Sequence, residues 1–265
     1  KYSNQLFDCK IITIMQVKCV FDLSSLNIPQ FKNNEDSAYD FYMKNGFHIE
    51  DGIFDESDCQ KLIEESHEFE NFKNKSYIPE QQIHQENENI LSMMSNDSIK
   101  NIINKFAAKG KEMFGIQSTF FYGVPGTSGS SSHQDGLWVQ PEDSNGFISA
   151  WTPLVDLEND NMGNLYVYES SHKDGSLDVR ENKDLKSLYQ NQGLVKYESV
   201  LKKDLPKHEI IIKKGSTVFL HSNVVHGSVA NDSKIDRNAV LFTYIRDGLN
   251  FREGREAKRV KTKLK

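Results

Sequence analysis

The chain has 265 residues, 37% hydrophobic and 11% aromatic, and a formal net charge of −6. That is too apolar and aromatic for a disordered chain, its length suits one large domain, and no apolar run approaches the roughly 20 residues of a membrane helix. Residues 252–265 hold seven Lys/Arg against two Glu, which leaves the remaining body at −11, a charge that excludes a general nucleic-acid binder.

Residues 1–35 read as an N-terminal extension ending in a Pro-containing linker. Within it Ile11–Phe21 resembles a signal-peptide core, but Gln16 and Lys18 interrupt it and it reads better as a strand. The chain opens at Lys1 rather than Met, as a processed or trimmed chain does, so a removed targeting segment stays open. Cys9, Cys19 and Cys59 are odd in number and widely spaced, which fits neither a disulfide framework nor a zinc site and points to a reducing compartment such as the cytoplasm. A helix is expected over Ser37–Asn45 with Gly46 as its stop, then a short strand, then a helix over residues 59–72 with Asp55 or Ser57 as its cap. A polar stretch at 74–90 leads to another helical pattern over Ser98–Phe114.

From Gln117 the pattern changes to short apolar or alternating runs separated by Gly, Pro, Asn and Asp, as in a β-sandwich or barrel. The polar interval 174–207 interrupts the series and reads as a lid or binding insert. Helices first and strands second give an α+β layout, with residues 36–250 as one domain around a jelly-roll core and 251–265 as a basic, solvated tail.

His133 and Asp135 stand two apart, and on a strand positions i and i+2 share a face, so both reach one metal ion. A second His from a distant strand would complete a two-His-one-carboxylate set, which leaves positions open on non-haem Fe(II). Spacing alone does not decide, because His172 and Asp174 repeat it. The region 215–246 supplies the surroundings: His226 ends an apolar run, Ser228 shares its face, and a hairpin-like turn would return Arg237 beside it. A guanidinium there suits a distal carboxylate, which its planar fork binds through two parallel hydrogen bonds. His221 is the rival ligand, but its five-residue offset from His226 points it to the opposite face.

At these residues the chain resembles the phytanoyl-CoA dioxygenase (PhyH) family of Fe(II)/2-oxoglutarate-dependent oxygenases, over roughly residues 37–246. The family's HxD matches His133 and Asp135, its distal H-x-S matches His226 and Ser228, and its 2-oxoglutarate-binding Arg matches Arg237. Gln117 resembles a cosubstrate-contacting position of some relatives, and His172 falls in a structural segment rather than the metal pair. The resemblance implies a double-stranded β-helix (jelly-roll, cupin-like) core with N-terminal helices packed against it. It implies Fe(II) on His133, Asp135 and His226, with 2-oxoglutarate and O2 as cosubstrates. It also implies oxidation of a small-molecule C–H bond, by hydroxylation, desaturation or ring closure, with release of succinate and CO2. Trp138 and Trp151 are candidates to line the substrate pocket. The Lys common before HxD is replaced near Gly123, and Glu169-Ser170 replaces the usual Pro-Gly, departures that argue against carrying over acyl-CoA recognition. Asp135 argues against the family's halogenating variants. The alternatives are a protein side-chain hydroxylase and a non-catalytic metal-binding sensor.

Overall fold

Helix ends are set by local chemistry. Asn34 accepts from the Ser37 N–H, and Gly46 stops the helix at φ +83°, so α1 spans Glu35–Asn45. Asp55 and Asp58 form a reciprocal capping box that starts α2, Glu56–Ser66. The single helix expected through residue 72 breaks here, because Phe69 is extended and packs edge-on to Phe120 at 5.9 Å; α3, Glu70–Lys73, follows it. In the computed structural model, residues 20–21, 23, 26–159, 161–182, 197–255 and 258–265 are described. Cys9, Cys19 and most of the Ile11–Phe21 run lie outside them.

The polar stretch at 74–90 is more ordered than its composition suggests. It contains β3 (Glu80–Gln81) and leads into α4 (Glu88–Met94), capped by Asn87. Asn96 caps α5 (Asp97–Ile103), which runs into a π-helical turn at Asn104–Ala108. That path does not continue to Phe114, because Lys109 and Gly110 take left-handed conformations and Met113 opens a strand.

The strands confirm a jelly roll. One sheet is ordered β14-β4-β13-β6-β11-β2, from β2 (Phe47–Glu50), β4 (Met113–Phe121), β6 (Phe147–Pro153), β11 (Thr217–His221), β13 (Ala239–Arg246) and β14 (Thr262–Lys263), with β3 also on β4. The facing sheet is β1-β10-β7-β12-β5, from β1 (Val20–Phe21), β5 (Ser130–His133), β7 (Leu165–Tyr168), β10 (Lys207–Glu209) and β12 (His226–Ser228). The larger sheet is covered on both faces. Phe120, Phe219, Phe242 and Tyr244 pack outward under the helices, around Tyr42, Leu62, Ile99 and Phe106. Leu220 and Trp151 pack inward between the sheets. This double burial explains why β6 is buried at every position and shows no polar alternation.

Both ends of the chain depart from the expected picture of loose appendages. Within the described part of the extension, β1 pairs in parallel with β10, and the buried Phe31 packs into the core. The basic tail is not simply solvated: β14 pairs with β4, Leu264 packs on the core, and the Lys265 N–H donates to Ser95 Oγ at 3.1 Å. In the insert, β8 (Val179–Glu181) pairs with β9 (Tyr197–Ser199); residues 183–196 lie outside the described part. Cys59 is a buried free thiol whose pKa burial pushes up to about 12. Among the described residues no helix is long and apolar enough to cross a membrane.

Glu50 ties the linker to the domain, accepting from the Phe31 and Lys32 N–H groups at 2.5 and 3.2 Å. Burial opposes its ionisation, but His48 and these two N–H groups outweigh burial and hold its pKa below the usual value. A depressed folded-state pKa gives stability above the unfolded value of about 4.3, which is lost as pH falls through the folded value. Glu50→Gln is expected to cost roughly 1–3 kcal/mol in urea unfolding at pH 7, with the gap to wild type narrowing below about pH 4. An equal gap at both pH values would show that the charge contributes nothing.

Candidate active site

His133 closes β5 and His226 opens β12, and the two are direct partners in the antiparallel register. Their ring centres are 4.4 Å apart. Each ring is oriented by a carbonyl two residues upstream: His133 Nδ1 lies 2.8 Å from Ser131 O, and His226 Nδ1 lies 3.1 Å from Val224 O. A carbonyl only accepts, so each Nδ1 carries a proton and each neutral ring turns its Nε2 lone pair inward. Both Nε2 atoms aim at Oδ1 of Asp135, at 3.6 Å from His133 and 3.5 Å from His226. The other oxygen, Oδ2, accepts a 2.6 Å hydrogen bond from Ser149 Oγ.

Asp135 is not on the strand, as the i, i+2 reading supposed. The strand ends at His133, and Asp135 (φ −61°, ψ −32°) leads into the short helix α6, Gly136–Val139. The turn still brings the carboxylate to the imidazoles, because Gln134 between them points the other way. Its Nε2 donates to Asn223 O at 2.6 Å and Gly175 O at 2.8 Å, and its Oε1 accepts from Leu177 N. Thus the residue between the two ligands anchors both the turn before β12 and the start of the insert.

Burial opposes ionisation of Asp135, but His226, His133 and Ser149 outweigh it and hold the carboxyl well below its usual range. Burial pushes His226 down to about 4. It also disfavours the His133 cation, but the Asp135 carboxylate wins and raises the His133 pKa. The three ligand atoms lie within 4.8 Å of one another. Two nitrogens and one carboxylate oxygen, each braced from behind, form a donor set that fits a non-haem iron ion.

Arg237 opens onto the same cavity, of about 330 Å³. It precedes β13 in the larger sheet whereas His226 is in the smaller one, so they meet across the sandwich rather than in the expected hairpin. The side chain is buried, with its guanidinium 5.9 Å from the Trp151 ring. Two glycines make its channel: a Cβ on Gly123 would lie 3.0 Å from Arg237 Nε, and one on Gly163 (φ +76°) 2.9 Å from it. The same crowding explains the departure at Gly123, because a Lys side chain would collide with Arg237. Among the described residues no carboxylate pairs with this guanidinium, and Nε has no hydrogen-bond partner. Burial lowers its pKa to about 10, which still leaves it cationic.

The other candidates divide. Ser228 lines the cavity, but its Oγ accepts from Ser130 N at 2.9 Å, and its N–H donates to Ser130 Oγ at 3.0 Å, bracing an irregularity in the β5–β12 pairing. Gln117 also lines it, with Nε2 donating to Thr119 Oγ1 and Oε1 accepting from Arg259 Nε. Trp138 and Trp151 both face the cavity. His221 lies elsewhere, 3.3 Å from Asn145 Oδ1 and 5.0 Å ring to ring from His172. His172 contacts Met43 O, so the repeated H-x-D spacing at 172–174 is not at the site. Sequence reasoning missed Ser149, Thr243 and Arg259, whose places depend on strand pairing and tail docking that no local motif signals.

The profile of the phytanoyl-CoA dioxygenase (PhyH) family matches residues 42–239. "Phytanoyl-CoA dioxygenase domain-containing protein 1" of Danio rerio is 31% identical over 131 residues, covering 48% of this chain and 43% of that protein. "Phytanoyl-CoA dioxygenase, peroxisomal" of Rattus norvegicus is 30% identical over 122 residues, covering 44% and 34%. The matched segments thus span less than half the length of these relatives. Among solved structures, the epimerase SnoN in complex with Fe3+, alpha ketoglutarate and nogalamycin RO superposes with TM-score 0.68 at 13% identity, covering 88% of this chain and 96% of that one. The non-heme alpha ketoglutarate dependent carbocyclase SnoK gives 0.66 at 17%, covering 89% and 97%. At these identities the structural likeness establishes the fold. The family match, which takes in β2 through the start of β13, establishes descent: the chain belongs to the phytanoyl-CoA dioxygenase (PhyH) family.

Proposed function

We propose that the protein is a 2-oxoglutarate-dependent non-haem iron dioxygenase that oxidises a C–H bond of a small-molecule substrate. One observation carries the reading: a buried guanidinium without a carboxylate partner shares a cavity with a two-His-one-carboxylate cluster. An unpaired buried cation is costly, and a ligand carboxylate offsets that cost.

When bound, iron supplies the oxygen chemistry, coupling decarboxylation of 2-oxoglutarate to attack on the substrate. His133, Asp135 and His226 would hold the ion within the cavity that they line. Ser131, Val224 and Ser149 keep those ligands in place, so little reorganisation is needed on loading. Arg237 binds the far carboxylate of 2-oxoglutarate, with the Trp151 ring shaping that end of the cavity. The apolar walls, among them Phe147, Leu165, Leu220 and Leu241, exclude water from the reacting carbon. Hydroxylation, desaturation and oxidative ring closure all use these same residues. The cavity's modest volume of about 330 Å³ and apolar walls favour a small metabolite over a protein side chain, while the paired β8–β9 insert packs beside β5.

Succinate formation with Fe(II), 2-oxoglutarate and a metabolite panel is expected for wild type and lost in His133→Ala and Asp135→Ala. Wild type no better than these variants, with or without substrate, would sink the enzyme reading. For the clamp, Arg237→Ala is expected to weaken 2-oxoglutarate binding to the Zn(II)-loaded protein by roughly 30-fold or more in calorimetry, as loss of a buried charge pair implies. Unchanged affinity would remove Arg237 from that role.

A further inference from the structure

The proposed reaction employs Arg237 but leaves a second guanidinium in the same cavity without a task. Residues 250–252 are tied to the α6 region, and residues 258–259 lie on the β3–β4 side of the cavity. Glu142 N–H donates to Asn250 O at 3.0 Å and Arg252 N–H to Val139 O at 2.7 Å, while Gln82 Nε2 donates to Lys258 O at 2.8 Å. Arg259 is half-buried and lines the cavity. Its Nε donates to Gln117 Oε1 at 2.6 Å and its Nη1 to Arg252 O at 3.2 Å. Both partners are neutral. Among the described residues no carboxylate forms an ion pair with Arg259, although the Asp135 carboxylate acts on it electrostatically.

Two further polar atoms of the lining lack partners. Trp138 Nε1 and Thr243 Oγ1 are buried without a hydrogen bond. Trp138 sits on α6, to which Arg252 is tied, and Thr243 is the register partner of Gln117, which holds Arg259. Donors without partners therefore line a mostly apolar cavity. The charges point the same way. A divalent ion, Asp135, Arg237 and the 2-oxoglutarate dianion sum to zero, so the Arg259 charge stays uncompensated until substrate enters.

We propose that Arg259 is a substrate anchor, binding the carboxylate of a monoanionic substrate whose remaining body is apolar. This assignment rests on the 2-oxoglutarate reading, since it treats Arg237 as already occupied. Gln117 is then a positioning residue, orienting the guanidinium rather than touching cosubstrate. A single cation with neutral neighbours suits one carboxylate better than a phosphate dianion.

The chain's two tryptophans, Trp138 and Trp151, both line the cavity, so their fluorescence reports binding without turnover. Zn(II)-loaded protein is titrated first with 2-oxoglutarate. It is then titrated, at saturating 2-oxoglutarate, with acid and amide pairs: 3-phenylpropionate against 3-phenylpropanamide, and octanoate against octanamide. Wild type is expected to bind at least one acid about 10-fold or more tightly than its amide, and Arg259→Gln to erase that preference. Arg259→Lys keeps the charge and is expected to retain part of it, which separates anchoring from a tail that has merely come loose. In both variants 2-oxoglutarate affinity is expected to stay within about 3-fold of wild type. No acid preference in wild type, a preference surviving Arg259→Gln, or a loss confined to 2-oxoglutarate would each overturn the proposal. Failure of wild type to bind 2-oxoglutarate at all is a separate result that removes the cosubstrate reading, and the anchor with it.

Discussion

His133 and His226 meet because β5 and β12 pair in one register, and a slip of a single residue in β12 would turn its imidazole out of the cavity. Much of the surrounding structure guards that register. Ser130 and Ser228 exchange side-chain and backbone hydrogen bonds across the irregular step that follows the histidine pair. Gln134 and the Gly136 N–H bind Asn223 O and Ser222 O, fixing the turn that delivers His226. The larger sheet contributes Ser149 from the opposite layer, so the carboxylate is positioned by the packing of one sheet on the other. The site is thus a property of the whole sandwich, not of the H-x-D turn.

The charge distribution is arranged in two tiers. Outside the tail the chain is strongly acidic, yet the cavity presents two guanidiniums and one carboxylate. Low-dielectric walls make those few buried charges dominate the local field, whatever the net charge outside. The basic tail belongs to this inner tier as much as to the outer one. Lys261 and Lys263 face Asp247 and Glu112 at the rim, while Arg259 turns into the cavity.

Much of this was legible in the sequence, and for identifiable reasons. The jelly-roll core, the grouping of His133, Asp135 and His226, and the convergence of Arg237 rest on spacings that strands and turns preserve. The exclusion of His172 and His221 was also readable. Less legible was everything decided by tertiary contact. The helix expected through residue 72 yields where Phe69 is drawn to Phe120, and the polar stretch before α4 orders because Asn87 caps it and Ile90 reaches the core. Composition suggested a solvated tail, because pairing with β4 depends on an exposed strand edge more than a hundred residues away. Ser149 looked like any strand serine until the sheets were stacked.

The His133–Asp135 contact also bears on how the site is filled. Asp135 stabilises the protonated His133 ring and raises its pKa, whereas an ion would take the neutral ring. A metal and a proton would therefore compete for His133 Nε2, and rising pH favours the metal. Acidification favours the proton, which couples occupancy of the centre to the acidity of its surroundings.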